Sequence, residues 1–194
     1  NGGSLRWQLG SPYGDYAHSG TGFLFANDSP AQITDASAIL KSIPVPANAY
    51  LHFSHAYAFE FGISDAEQTY YFDGGVLEYS TNGGASWQDA GSLVMNNGYR
   101  GTIDPDWNNP LKGRTAFVGE SHGYISTRLN LSSLAGQNVS FRWRMGLDSD
   151  YYYLGWFVDD VRIYTCPWSS WVGGVSIESD QSIVTVARPH LGSE

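Results

Sequence analysis

Between positions 51 and 61 the side chains alternate without a break. Leu51, Phe53, His55, Tyr57, Phe59 and Phe61 fall on one side, and His52, Ser54, Ala56, Ala58 and Glu60 on the other. A period of two is the pattern of a β-strand with one face against a core and one face in water. Residues 139–147 repeat it, with Val139, Phe141, Trp143, Met145 and Leu147 opposing Ser140, Arg142, Arg144 and Gly146. Shorter apolar runs predict further strands at 21–26, 36–40, 75–80, 115–119, 125–129 and 156–165. Turn signals separate them at Ser11-Pro12, residues 44–48, Asn96-Asn97-Gly98 and Ala135-Gly136. Eight or nine short strands so spaced predict an all-β fold, a two-sheet antiparallel sandwich of the jelly-roll kind. Helix is confined to a short turn at 131–136. Residues 98–113, which include Asp104-Pro105-Asp106-Trp107-Asn108-Asn109-Pro110, show no periodicity and are expected to form a long surface loop.

After Tyr164 the pattern changes. Residues 166–171 read as a junction, and 174–189 as a β-hairpin with strands at 175–177 and 183–186. The chain therefore divides into a sandwich over 1–165 and a tail over 166–194. Two strands alone are not an independent domain, so the tail either pairs with a sandwich edge or opens a following module.

Composition supports this class and narrows the partners. Phe, Trp and Tyr make up 15% of residues, and 23 glycines and 8 prolines suit many tight turns. A net charge of −9 with only 10 Lys and Arg argues against nucleic acid, which needs clustered cations. The same acidity favours solubility and supplies oxygen ligands for a hard cation such as Ca²⁺. The single cysteine, Cys166, cannot form an internal disulfide. No apolar run approaches the roughly 20 residues of a membrane span, so membrane insertion is not expected. The chain opens on Asn1 without an initiator Met and reads as a piece of a longer precursor, with any targeting signal upstream. Sequons at Asn27, Asn130 and Asn138 matter only in a glycosylating eukaryotic host.

Residues 72–87 run from an apolar strand into a Gly-rich turn that closes on a tryptophan. Ser80, Asn82, Gly84, Ser86 and Trp87 fit the Asp-box pattern S-x-D-x-G-x-T-W, with Asn for Asp and Ser for Thr. There the polar side chain bonds amides of its own turn, the glycines take positive φ, and the Trp caps the hairpin. The turn holds no plausible nucleophile or base, so it reads as a folding device.

Asp159 and Asp160 are adjacent in a strand and must face opposite ways. Asp159 falls in phase with Phe157, Val161 and Ile163, on the expected core face. A buried carboxylate there needs a cation, an arginine such as Arg142 or Arg144, or backbone amides. His52 and His55 are three apart in a strand and point to opposite faces, which excludes a shared zinc site. His55 reads as a hydrogen-bonded core residue. Ser80, Ser121 and Ser126 carry no nucleophile-elbow pattern. Trp107, Tyr124, Tyr151 and Tyr152 are the candidate ligand surface, because aromatic faces stack on sugars and anchor protein interfaces; core packing is the alternative.

Several landmarks stand in order: Leu51-His52-Phe53-Ser54-His55, Asp73-Gly74-Gly75-Val76, the box at 80–87, Phe117-Val118-Gly119-Glu120-Ser121, Leu129-Asn130-Leu131, Phe141-Arg142-Trp143-Arg144-Met145, and Gly155-Trp156-Phe157-Val158-Asp159-Asp160-Val161. This order resembles the MAM-like jelly-roll domains of secreted bacterial metallopeptidases of the immune inhibitor A type and of other bacterial surface proteins, over about residues 5–165. The resemblance implies an accessory module with no catalysis of its own, often with a structural Ca²⁺, attached to peptidases, glycosidases or adhesins. Together with the acidic balance it points to Asp28, Glu60, Asp73 and Asp159 as Ca²⁺ ligands. A hydrogen-bond network within the protein remains the alternative. No His-Glu-x-x-His occurs, so any zinc-peptidase activity would lie elsewhere in a parent protein. The tail beyond Trp171 departs from the family pattern.

The expected function is a non-catalytic extracellular or cell-surface accessory and adhesion module that positions neighbouring domains. A carbohydrate-binding module using loop aromatics is the second reading, and a hydrolase with an unrecognised site the third. Partners would be adjoining domains, glycans or extracellular proteins.

Overall fold

Residues 6–10, 15–28 and 32–166 are described by a computed structural model, and they form fourteen β-strands and two short 3₁₀ turns. The strands are β1 (Trp7–Leu9), β2 (Leu24–Ala26), β3 (Thr34–Pro44), β4 (Ala49–Ala58), β5 (Phe61–Ile63), β6 (Thr69–Tyr71) and β7 (Gly74–Ser80). They continue as β8 (Gln88–Asp89), β9 (Val94–Asn96), β10 (Gly101–Thr102), β11 (Thr115–Ala116), β12 (Ile125–Asn130), β13 (Asn138–Leu147) and β14 (Gly155–Thr165). A six-stranded sheet runs β1-β2-β14-β4-β12-β9 and a four-stranded sheet β3-β13-β7-β8, with antiparallel pairing throughout both. The expected turn at 131–136 is the 3₁₀ turn Ser132–Leu134. Among the described residues no helix is long and apolar enough to cross a membrane. The expected turn at Ser11-Pro12, the junction from Pro167 and the hairpin at 174–189 lie outside the described residues, and Cys166 is an exposed free thiol.

The alternating residues of β4 and β13 fill one shared core. Leu51, Phe53, Leu129 and Trp156 come from the six-stranded sheet and Leu77, Phe141, Trp143 and Met145 from the four-stranded one. Phe53 meets Trp143 edge-on, with centroids 5.4 Å apart, so the two sheets face each other in a sandwich-like all-β arrangement. Gly75 of β7 makes room for an indole: a Cβ there would fall 2.3 Å from the Trp156 ring. His55 lies in this core as a fully buried, hydrogen-bonded residue. The Trp156 indole N–H donates to His55 Nδ1 at 3.1 Å, which leaves the proton on Nε2. Nε2 then donates to Thr127 Oγ1 at 2.8 Å, and Thr127 donates to the Asn97 carbonyl at 2.8 Å. Burial holds the imidazole pKa down at about 3, with the Arg100 charge adding to the effect, so it is neutral.

The alternation from 51 does not reach 61 as one strand. It stops at Ala58, and the chain turns into β5 after Glu60, whose carbonyl accepts the amides of Phe72 (3.1 Å) and Asp73 (3.4 Å). Glu60, expected on the wet face, is buried because strand parity ends before it.

Asp159 does not face the main core. In β14, Asp159 pairs with Ser54 and Arg162 with His52, so Asp160 and Val161 together oppose Phe53 in a bulge. Asp160 takes φ 49° there. The extra residue shifts the phase: Trp156, Val158, Val161 and Ile163 face the core, whereas Phe157 packs with Phe23 and Phe25 in a separate cluster on the far side of the sheet. Asp159 shares the side of Phe157. Its Oδ2 accepts the amides of His18 (2.8 Å) and Ser19 (3.1 Å), and Asp160 bonds the side chains of the same two residues. Arg142 and Arg144 do not serve it. Both pair with the buried Glu78, and Arg144 also with Asp35.

Residues 98–113 are less of a surface loop than their lack of period implies. Ile103 and Leu111 are fully buried in a small second core with Val76, Ala116 and Val118, and β10 pairs with β11. The box at 80–87 forms as expected. Ser80 Oγ accepts the Gly84 amide at 2.9 Å, Asn82 Oδ1 accepts the Ser86 amide at 3.0 Å, and Gly83 and Gly84 have φ of 72° and 93°.

Candidate functional site

The register between β13 and β7, which sets Gly146 opposite Gly74, brings the end of β13 beside the start of β7. Asp148 and Asp73 therefore emerge together, and the bonds from Phe72 and Asp73 to the Glu60 carbonyl bring Glu60 to the same place. Glu60, Asp73 and Asp148 are all buried, and each offers a carboxylate oxygen within 4.8 Å of the others.

One side of this cluster is well bonded. Asp73 Oδ1 accepts the Asp148 amide at 2.7 Å and Asn109 Nδ2 at 3.1 Å. Asp148 Oδ1 accepts the Asp150 amide at 2.9 Å, and Glu60 Oε2 accepts the Tyr151 amide at 3.3 Å. Asp28, also buried, accepts the Tyr153 amide at 2.8 Å. Segment 148–154 thus folds over the carboxylates of Asp28, Glu60 and Asp73 and closes on its own Asp148. The other side is bare: Asp73 Oδ2 and Asp148 Oδ2 are buried and, among the described residues, have no hydrogen-bond donor. Buried polar atoms are rarely left so, and each orphan oxygen costs about 1–3 kcal/mol unless something pairs with it.

The electrostatics reflect the crowding. Burial first, then the charge of Asp28, with Asp148 and Glu60 adding, pushes Asp73 up to about 8. Burial and then Asp148, with smaller effects of Asp150 and Asp28, push Glu60 up to about 7. Burial raises Asp28 to about 6 against the pull of the Tyr153 amide and Arg6, and it raises Asp148 as well. Like charges in a desolvated space resist ionisation together. Two chemical states relieve them: shared protons, or a cation. The donor set is all oxygen, which suits a hard divalent ion and not a soft one.

Of the residues singled out in the sequence, Glu60 and Asp73 come together here, and Asp28 lies near enough for its charge to act on both. Asp159 does not, for its carboxylate is taken up by the His18–Ser19 backbone. Asp148 was not foreseen. The available signal was its place in Leu147-Asp148-Ser149-Asp150, the first residues after an alternating strand ends. The aromatics divide. Tyr151 and Tyr152 are 74% and 58% exposed, in the segment that covers the acids. Trp107 is 42% exposed and meets Phe72 edge-on at 5.0 Å. Tyr124 is half-buried; its hydroxyl donates to the Tyr16 carbonyl at 2.8 Å, and its ring lies 5.1 Å from that of His18.

No family model matches the chain, and a search of curated proteins finds no match either.

Proposed function

We propose that this chain is a non-catalytic extracellular accessory module, a jelly-roll sandwich in which Ca²⁺ held by Glu60, Asp73 and Asp148, with Asp28 alongside, fixes aromatic-bearing loops for contact with a partner. The observation that carries this reading is the pair of buried, donor-less oxygens, Asp73 Oδ2 and Asp148 Oδ2, inside a cluster of acids. A bound cation supplies what those oxygens lack and removes the repulsion that raises the carboxyl pKa values. The resemblance of the ordered sequence motifs to those of MAM-like domains favours the same reading. Extracellular Ca²⁺ modules work with dissociation constants of about 10⁻⁴–10⁻³ M, a range suited to the outside of a cell.

The test is calorimetric titration of the chelator-treated protein with Ca²⁺, beside Asp73→Asn and Asp148→Asn. One site is expected in the parent and at least a tenfold weaker one in each variant. Absence of Ca²⁺ binding by the parent overturns the cation, and parent-like affinity in both variants overturns these ligands. A second reading, carbohydrate binding, is favoured by the exposure of Tyr151 and Tyr152 on the segment that covers the acids.

A further inference from the structure

On the outer face of the six-stranded sheet, pairing across four strands places Arg162, His52, Arg128 and Asn96 in one transverse row. Arg162 lies opposite His52 on β14 and β4, His52 opposite Arg128 on β4 and β12, and Arg128 opposite Asn96 on β12 and β9. Directly opposed residues of antiparallel strands point to the same face, and the flanking Leu51, Phe53, Thr127 and Leu129 are buried on the other. The next row is Tyr164, Tyr50 and Asn130, in which the two tyrosine rings stack with centroids 5.7 Å apart. His52, Asn96, Asn97, Ser126, Arg128 and Tyr164 line a groove of about 310 Å³, at the low end for small-ligand sites.

The groove carries positive charge in an acidic chain. Arg114, Arg142, Arg144 and Arg162 all end on carboxylates. Among the described residues no carboxylate pairs with Arg128. Its guanidinium lies 5.6 Å over the Tyr50 ring, its Nη2 makes a long 3.4 Å contact to Asn96 Oδ1, and its Nε–H is buried without an acceptor. None of the lining residues is acidic. The rest of the lining is amide, hydroxyl and imidazole, the side chains that bond sugar hydroxyls, together with the Tyr164 ring.

We propose that this groove binds an acidic saccharide, with Arg128 receiving the oxyanion, carboxylate or sulfate, and Asn96, Asn97, Ser126 and Tyr164 receiving the sugar. Arginine is the residue whose planar fork matches such groups with paired hydrogen bonds. The site is separate from the acidic cluster and does not depend on a cation.

The test titrates the full chain with three hexasaccharides: hyaluronan, charged only through carboxylates; sulfated dextran, charged only through sulfates; and uncharged dextran. Binding is expected for at least one charged probe, at least tenfold tighter than for dextran, and the arm that binds identifies the oxyanion. Arg128→Gln should weaken it at least tenfold. Ser126→Glu, at an exposed strand position, should do the same by placing a negative charge in the groove, with the melting temperature unchanged. Should Arg128→Gln fail to fold, Ser126→Glu decides. No binding by either charged probe, equal binding of dextran, or parent-like affinity in a folded Arg128→Gln or in Ser126→Glu overturns the proposal.

Discussion

Asn109 and Asp73 meet at 3.1 Å, the side-chain amide donating to Oδ1 of the carboxylate. The same Nδ2 reaches the carbonyls of Phe72 (2.8 Å) and Gly146 (2.9 Å), while Asn109 Oδ1 accepts the Leu111 amide at 2.7 Å. One buried side chain therefore joins the segment after β10 to the two strand ends from which the acids emerge.

Replacing Asn109 by Ala should cost about 2–4 kcal/mol in urea unfolding, because two carbonyls, an amide and a carboxylate oxygen lose a partner in a space closed to water. Ca²⁺ affinity should fall with it, since Asp73 loses its orientation. Unchanged stability would show that water replaces the amide and that the segment is not held from this point.

Protonation of the acids sets a pH dependence with a definite sign. Folding raises Asp73 to about 8 and Glu60 to about 7 from ordinary carboxyl values near 4. The stability these groups allow is complete below their unfolded pKa and is lost as pH climbs through the folded values. His55 works the other way: with a folded pKa of about 3 against an ordinary 6.5, it costs stability only as pH falls below 6.5. The two effects separate above pH 6.5, where His55 is neutral in the folded state and loses its proton in the unfolded one. Chelator-treated protein should lose on the order of 2 kcal/mol between pH 6.5 and 8.5, about 4–8 °C in melting temperature. Saturating Ca²⁺ should flatten that slope. A flat profile without metal would mean that the carboxyls are not strained by their surroundings.

Trp87 closes the 80–87 hairpin from outside the core. It is half-buried, lies close to Gly84, and has the Arg142 guanidinium 4.4 Å over its ring. Arg142 in turn reaches Glu78. Trp87→Ala should therefore cost about 1–2 kcal/mol, below the 3–5 of a fully buried aromatic. A loss of 4 kcal/mol or more in chemical denaturation would place the indole deeper than its partners indicate.

Periodicity made β4 and β13 legible, because both strands bury every second residue against one core. It misled at Asp159, where one inserted residue at Asp160 reversed the facing of everything before it, and a bulge leaves no mark in an alternating pattern. Glu60 misled for a related reason: the parity of β4 continues past Ala58 in the sequence but not in the chain. Asp148 joins the acids through the β13–β7 register, a pairing of residues about 70 apart that local pattern does not encode. Ile103 and Leu111 looked like loop residues because two isolated anchors produce no period. The Gly-rich box was readable because all its bonds are local.

The exposed aromatics give the last separation. Tyr151 and Tyr152 project from the segment over the acids, and the double change to Ala should alter stability by less than ~0.5 kcal/mol, as exposed positions commonly do. Trp107 is less free: its edge contact with Phe72, next to Asp73, should make Trp107→Ala cost about 1 kcal/mol. On a glycan array, a module that binds through these loops should lose about 1–4 kcal/mol of affinity in the tyrosine double variant. Arg128→Gln, on the sheet face, should leave that particular interaction intact. If the tyrosine variant instead melts several degrees lower with its glycan profile unchanged, those rings pack the segment over the acids and the loop is not a recognition surface.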